Sequence, residues 1–268
     1  MKKPTVSIII PHRDRSENLR HCLRSIHSSA FVCGCLDEFE VLVVDDGWTA
    51  HRLSKLPSEW DRVRVIIDAA QPPVELKPRE PPPFWKNRLL NTGLRFARGT
   101  VFTFLDADAI VGPRFMEAWR ELKDRSITRL CYRVRYVDAA QVEEAMDRWH
   151  GLEHLFQTYD SHRLATECYG EPELRGTGGE PVFGNSQFSI RREVLDEISF
   201  QWDESYVGRT CEDLSGIREI YRRTQPNYKG KLVGDGDHAL LHITHSMTPG
   251  FAEGDRWSQA NSRRYETT

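Results

Sequence analysis

Four short runs rich in β-branched residues, Val6 to Ile10, Glu40 to Val44, Val63 to Ile67 and Val101 to Leu105, recur with helical patterns between them. That alternation is the strongest constraint on the fold. Between the first two runs, Leu19, Cys22, Leu23 and Ile26 share one helical face, and Asp14 and Glu17 stand at the offset of a capping box. Before the fourth run, Trp85 to Ala97 reads as a second helix, with Leu89, Leu90, Leu94 and Ala97 clustered. This β-α-β order predicts an α/β chain with a doubly wound, mostly parallel, Rossmann-like central sheet. Ligands of such sheets bind beyond the carboxyl ends of the strands. Those ends are polar here: "PHRDR" follows the first run, "DDGW" the second and "DADA" the fourth.

At 268 residues the chain can bury a substantial core. The net charge of −3 gives no general attraction for nucleic acid, so any basic site has to be local. No stretch approaches the roughly 20 apolar residues of a membrane span, and Val6 to Pro11 is too short for a signal-peptide core. A cytoplasmic location is expected. Six cysteines (Cys22, Cys33, Cys35, Cys131, Cys168, Cys211) lack zinc-type spacing and are read as reduced packing residues. Ala69 to Phe84 is proline-rich and reads as a surface excursion, because the sheet resumes after it. Residues 139 to 182 combine an expected helix, Val142 to Phe156, with a glycine-rich tract suited to a lid. After Phe251 the chain is polar and aperiodic, a tail expected to fray or to fold over the site.

Three clusters carry chemistry. In "FTFLDADAIVGP", Asp106 and Asp108 are spaced i, i+2 at a strand exit, so they face one side only if the backbone leaves regular β geometry. One of them suits a ribose or sugar hydroxyl and the other a divalent cation, or else the pair simply initiates a turn before Gly112-Pro113. In "VGRTCEDLSGIREIYRR", Glu212 and Asp213 open an amphipathic helix carrying Leu214, Ile217 and Ile220. Acidic residues are favoured there electrostatically, and the same pair can hold a hydroxyl nucleophile and remove its proton. In "ALLHITHSMTPG", His242 and His245 act jointly only if a turn begins near Ile243. Two imidazoles and an aspartate compose a donor set for Mn2+; taken singly, each histidine reads as a hydrogen-bonded structural residue.

Taken together, the motifs resemble those of the β-1,4-galactosyltransferases. "SIIIPHRDRSENL" is similar to their I-I-I-P-F-R-N-R, "FWKNRLLNTGL" to F-N-R-A-K-L-L-N-V-G-F, and "LDADAI" to D-V-D. "VFGNSQFSIRREVLDEISFQWDESYVGRTCEDL" is similar to the stretch from F-G-G-V-S to G-G-E-D-D, and "HITHS" to M-I-R-H-S. The strand-1, "VVDDG" and D-x-D features also resemble family-2 glycosyltransferases, including chondroitin-polymerase-like enzymes. The likeness runs over roughly residues 5 to 246 in unbroken order, which points to an inverting glycosyltransferase of the GT-A fold. It implies one catalytic domain over residues 1–250, with a nucleotide-binding half (1–112) and an acceptor-binding half (113–250), followed by the tail 251–268.

The resemblance implies that Pro11, His12, Arg13, Arg15 and Lys86 line the uridine and diphosphate pocket, Lys86 standing where the family has arginine. It implies that Asp46 meets the uracil edge and Asp106 the ribose or donor sugar. Asp108, His242 and His245 would hold Mn2+ or Mg2+, Glu212 would bind the acceptor hydroxyl, and Asp213 would be the base. The expected reaction moves a hexose or N-acetylhexosamine, of Gal or GalNAc type, from a UDP-sugar to a carbohydrate or glycoconjugate acceptor, forming a β-linkage by single displacement. His12, His242, Arg209 and Asn185 replace the family's Phe, Met, Trp and Gly, so the sugar specificity is open among Gal, GalNAc, Glc and GlcNAc. Three rivals differ in class or stereochemistry: a retaining GT-A enzyme, an inactive carbohydrate- or partner-binding module, and a nucleotidyltransferase. The last lacks the glycine-rich loop it needs after the first strand, where "PHRDR" stands.

Overall fold

The computed structural model describes residues 3–47, 61–70, 83–132, 134–147, 151–158, 187–208, 212–224, 227, 229–233, 240–244, 259–261 and 263–264. Strands β1 (Val6–His12), β2 (Phe39–Asp45), β3 (Val63–Ile67) and β4 (Val101–Phe104) fall on the four expected runs. With β8 (Phe188–Arg191), β6 (Arg129–Tyr132) and β9 (Gly230–Val233) they form a seven-stranded sheet of order β3-β2-β1-β4-β8-β6-β9. All neighbours pair parallel except β8, which runs antiparallel to both β4 and β6. A small second sheet has the order β5-β10-β7, from β5 (Ala109–Val111), β10 (Leu240–Thr244) and β7 (Val134–Asp138).

Helix α1 (Ser16–Val32) crosses one face and buries Leu19, Cys22, Leu23 and Ile26 against Ile8, Ile10, Val41 and Val43. On the other face, α2 (Lys86–Phe96) covers Ile9 and Leu42 through Leu90. Its Gly93 lets the helix settle on Ile9, because a Cβ there would overlap that side chain. Helices α3 (Ala139–Met146) and α4 (Gly151–Thr158) pack beneath the small sheet. Helix α5 (Arg192–Glu197) and helix α6 (Glu212–Thr224) complete the α2 side, where Ile217 and Ile220 join Phe104, Phe188 and Trp202.

Two local expectations are corrected. The Asp14/Glu17 capping box does not form: Arg15 is the N-cap without a side-chain bond, Asp14 sits at φ +56°, and Glu17 pairs with Arg20 instead. A left-handed turn at Asp14 is needed to reverse the chain between β1 and α1, and it carries the aspartate away from the helix end. The single helix from Val142 to Phe156 is two. Helix α3 ends at Asp147, and Gly151 lies so close to the Ala145 carbonyl that no Cβ fits. A real capping box stands at the other end of α3, where Asp138 and Gln141 bond reciprocally.

The base of the sheet is pinned by Glu40, which is 1% exposed and accepts from Ser7 (2.7 Å), Arg64 (2.8 Å) and Arg98 (2.9 Å). Burial pushes its carboxyl up, but the Ser7 hydroxyl, the Arg98 backbone N–H and guanidinium and the Arg64 charge together hold it below the usual range. Trp202 ties core to site: its ring meets Phe104 and Phe200 edge-on and lies against Gly216 of α6. Gly216→Ala would drive a Cβ into that ring, so it is expected to cost about 1–3 kcal/mol and to tilt α6. Chemical denaturation reads the loss; wild-type stability would show that ring and helix are not in contact.

Candidate active site

The charged residues after the strands converge at the carboxyl edge of the sheet. β1 continues two residues past the expected end, pairing Pro11 with Val44 and His12 with Asp45. That register sets the His12 ring beneath the loop, 1% exposed, with Nδ1 2.6 Å from Asp45 Oδ2. The Arg15 backbone N–H donates to Nε2 at 3.3 Å, so the hydrogen rests on Nδ1 and is given to Asp45. Gly47, at φ +67°, turns the chain out of β2 while its N–H bonds Asp45. Arg13 bonds Asp46, donates to the Pro83 carbonyl at 3.3 Å and lies 5.3 Å from the Phe84 ring centroid. Arg15, about one-third exposed, bonds Asp108 Oδ2.

Between β4 and β5 the backbone leaves strand geometry, and the Ala109 N–H closes the turn on the Asp106 carbonyl at 3.1 Å. Both aspartates are thereby brought to one side. Asp108 is 2% exposed, and its carbonyl accepts from Ile243 at 2.9 Å. Antiparallel pairing sets His242 of β10 opposite Ala109, which places Nε2 3.3 Å from Asp108 Oδ1 and the ring 5.2 Å from Tyr136. Ligand atoms of Asp106, Asp108 and His242 all fall within 4.8 Å of one another. β10 keeps its pairing with β7 through Thr244, so a turn that would let His242 and His245 act jointly does not begin within the described strand; His245 lies outside the described residues.

The helix N-termini of α2 and α6 bring the remaining pieces. Lys86, the first residue of α2 and 8% exposed, places Nζ 2.9 Å from Asp106 Oδ1 and 3.0 Å from Asp213 Oδ1. One ammonium thus bridges the D-x-D turn and the acidic start of α6. Glu212 is the first residue of α6, and its side chain lies outside the description. The segment 202–208 leading to α6 is strapped to α2: Trp85 Nε1 bonds the Glu204 carbonyl at 2.6 Å, Asn87 the Asp203 carbonyl at 2.9 Å and Asn91 the Trp202 carbonyl at 2.9 Å. The described tail residues pack on the same segment, with Asn261 bonding the Val207 carbonyl and Arg264 over the Tyr206 ring.

A model of glycosyl transferase family 2 matches residues 7–199, from the first strand through the D-x-D turn to α5. The chain belongs to glycosyl transferase family 2. With the family comes the enzyme class, a glycosyltransferase, and of the two resemblances drawn from the motifs this is the broader one. Glycosyltransferase AglE of Haloferax volcanii is 26% identical over 117 residues, which is 42% of this chain and 34% of that one. The beta-monoglucosyldiacylglycerol synthase of Trichormus variabilis is 24% identical over 208 residues, 76% of this chain and 39% of that one. The chain therefore spans little more than a third of either relative's length. Among solved structures, S. aureus TarS 1–349 in complex with UDP-GlcNAc superposes with a TM-score of 0.58 at 16% identity, covering 91% of this chain and 60% of that one. Its complex with UDP gives 0.57. These likenesses confirm the GT-A fold: a mixed α/β domain around a large, mostly parallel sheet.

Two polar residues of this candidate site escaped the sequence reading. Gln187, 2% exposed at the start of β8, points Nε2 to Asp106 Oδ2 at 3.4 Å. It stands inside "VFGNSQFS", yet only the pairing of Phe104 with Phe188 brings it beside the D-x-D turn. Asp45, the neighbour of Asp46, is the partner of His12, which the strand register alone reveals. Cys22 lies under the turn with Sγ donating to the Asp106 carbonyl at 3.8 Å. Burial, aided by the charges of Asp108 and Asp106, pushes its thiol far above the ordinary range, so it is an inert packing group. Cys33, Cys35 and Cys131 are also free thiols.

Proposed function

We propose that this chain transfers a hexose or N-acetylhexosamine from a UDP-sugar to an acceptor hydroxyl, with inversion and with help from a divalent cation. The observation that carries the reading is the Lys86 bridge. It sets the D-x-D turn, at the donor end, one ammonium away from Asp213, the only acidic side chain described at the start of α6. Donor and base are thus held across a single gap, as single displacement requires.

Arg13, Arg15 and Lys86 supply planar or compact cations for the diphosphate, and the α2 N-terminus adds its oriented N–H groups. Asp46 serves the uracil edge and Asp106 the ribose or sugar. Asp213 takes the proton from the acceptor hydroxyl as it attacks, with Glu212 holding that hydroxyl. The oxygen, oxygen and imidazole donors of Asp106, Asp108 and His242 fit Mn2+ or Mg2+, with His245 as the further proposed ligand. When bound, such an ion supplies positive charge to the leaving diphosphate. The galactosyltransferase resemblance favours Gal or GalNAc donors, while the TarS neighbour was solved with UDP-GlcNAc, so both belong in one donor panel. No described helix is long and apolar enough to cross a membrane.

The test is calorimetry of the protein with UDP- and GDP-sugars in Mn2+ or Mg2+, followed by UDP release with acceptor glycans. Binding confined to UDP-sugars and lost in EDTA is expected. No nucleotide binding with either metal overturns the proposal, and an α-linked product from an α-linked donor overturns the inverting mechanism.

A further inference from the structure

Resting on that reading of the donor site, we infer that His12 is a positioning residue: together with Asp45 it holds the two nucleotide-facing loops in one arrangement, without touching the nucleotide itself. The motif resemblance puts His12 in the lining of the uridine and diphosphate pocket. The ring is instead 1% exposed beneath the loop, and the protein engages both of its nitrogens. Nδ1 donates to Asp45 Oδ2 at 2.6 Å, and Nε2 accepts from the Arg15 backbone N–H at 3.3 Å. Asp45 Oδ1 accepts in turn from the Gly47 N–H at 2.8 Å, and the His12 carbonyl accepts from the Asp46 N–H at 3.3 Å. A continuous chain of hydrogen bonds therefore runs from Arg15, beyond the exit of β1, to Gly47, beyond the exit of β2.

Both loops contain a turn that needs such support. Asp14 stands at φ +56° and Gly47 at φ +67°. Left-handed backbone is unfavourable for an L residue and persists where its surroundings fix it. The bond from Arg15 N–H to the His12 ring closes the chain around Asp14, and the bond from Gly47 N–H to Asp45 closes it beyond β2. These turns aim Arg13, Arg15 and Asp46, the side chains assigned to the diphosphate and the uracil edge. Phenylalanine, which the β-1,4-galactosyltransferase motif has at this position, would fill the ring's space with no donor for Asp45 and no acceptor for Arg15. The Asp45 side chain is 13% exposed, and an acceptor so buried is costly to leave unbonded. Histidine thus joins two loops that an apolar ring would only pack beneath.

The experiment combines amide hydrogen exchange of the nucleotide-free protein, read by NMR, with calorimetry of UDP-GlcNAc and UDP-Gal in Mn2+, for the wild type, His12→Phe and His12→Gln. Loss of a hydrogen bond of this kind shifts a local equilibrium by about tenfold. The Arg15 and Gly47 amides should therefore exchange about tenfold faster in His12→Phe, while Ile8 and Ile10 in the β1 core exchange as in the wild type. With the arranged loops less populated, UDP-sugar affinity should fall by about the same factor. Turnover at saturating donor should stay near the wild type, since the proposed base stands on α6, and a loss confined to donor binding separates positioning from catalysis. His12→Gln, whose amide offers one donor and one acceptor, should recover part of both the protection and the affinity, and it carries the test where His12→Phe fails to fold. Unchanged Arg15 exchange in His12→Phe overturns the inference, as does faster exchange with UDP-sugar affinity still at the wild-type value. Failure of the wild type to bind either UDP-sugar overturns the donor reading instead, and the exchange rates then decide on the link between the loops alone.

Discussion

Asp213→Asn is expected to lower the rate of sugar transfer by about 10²–10⁴ while leaving UDP-sugar affinity and thermal stability close to wild type. The substitution preserves size and can still present a carbonyl oxygen to Lys86 Nζ, which lies 3.0 Å from Asp213 Oδ1, so the helix start keeps its tether. What it removes is the capacity to accept a proton. A residue that only shapes the site would alter donor affinity or KM; a base lowers kcat at saturating substrate and leaves ground-state binding alone. Asp106→Asn supplies the contrast, since it faces Lys86 and Gln187 on the donor side and should weaken UDP-sugar binding as well. A drop of less than tenfold in kcat for Asp213→Asn would sink its assignment as the base. The position of this carboxylate depends in turn on packing one turn further along α6. Gly216 rests on Trp202, and the strap from α2 to residues 202–208 fixes where the helix begins.

The parts of this architecture that could be read from the chain are those written locally. β-branched runs and apolar helical faces are local patterns, and the first four strands, α1, α2 and the start of α6 fall where periodicity places them. Capping chemistry was harder, because the Asp14 signal is local but the backbone turn that defeats it is imposed by the β1 exit. α3 ends at Asp147, and Gly151 approaches the Ala145 carbonyl too closely for a Cβ, a tertiary contact with no periodic signature. The D-x-D pair was legible as chemistry, and the backbone turn needed to align it is present. What no local pattern contains is register across the sheets. His242 meets Asp108 because β10 runs antiparallel to β5, and Gln187 meets Asp106 because β8 runs antiparallel to β4. Lys86 drew notice through the motif resemblance. Its place between two carboxylates depends on three separate elements meeting at one point.

That meeting point sets the second large effect. Lys86→Met is expected to lower kcat/KM by about 10²-fold or more and to reduce stability by about 1–3 kcal/mol. Removing the ammonium leaves Asp106 and Asp213 facing each other without the cation that reconciles them. Both carboxylates keep about a quarter of their exposure, so solvent tempers the repulsion and the stability loss falls below that of a fully buried broken pair. The catalytic loss is expected to be larger because the proposed mechanism asks two functions of one atom: charge for the diphosphate and alignment of the base. Lys86→Arg keeps the charge and should recover most of the donor affinity, but its wider fork cannot sit in the same narrow gap, so kcat should recover less than Kd. Combining Lys86→Met with Asp213→Asn should cost less than the sum of the two, since the second change removes the charge that the first exposes. Strict additivity, or wild-type donor affinity in Lys86→Met, would show that Lys86 is a bystander and that the donor and acceptor sides of the cleft are held together by something else.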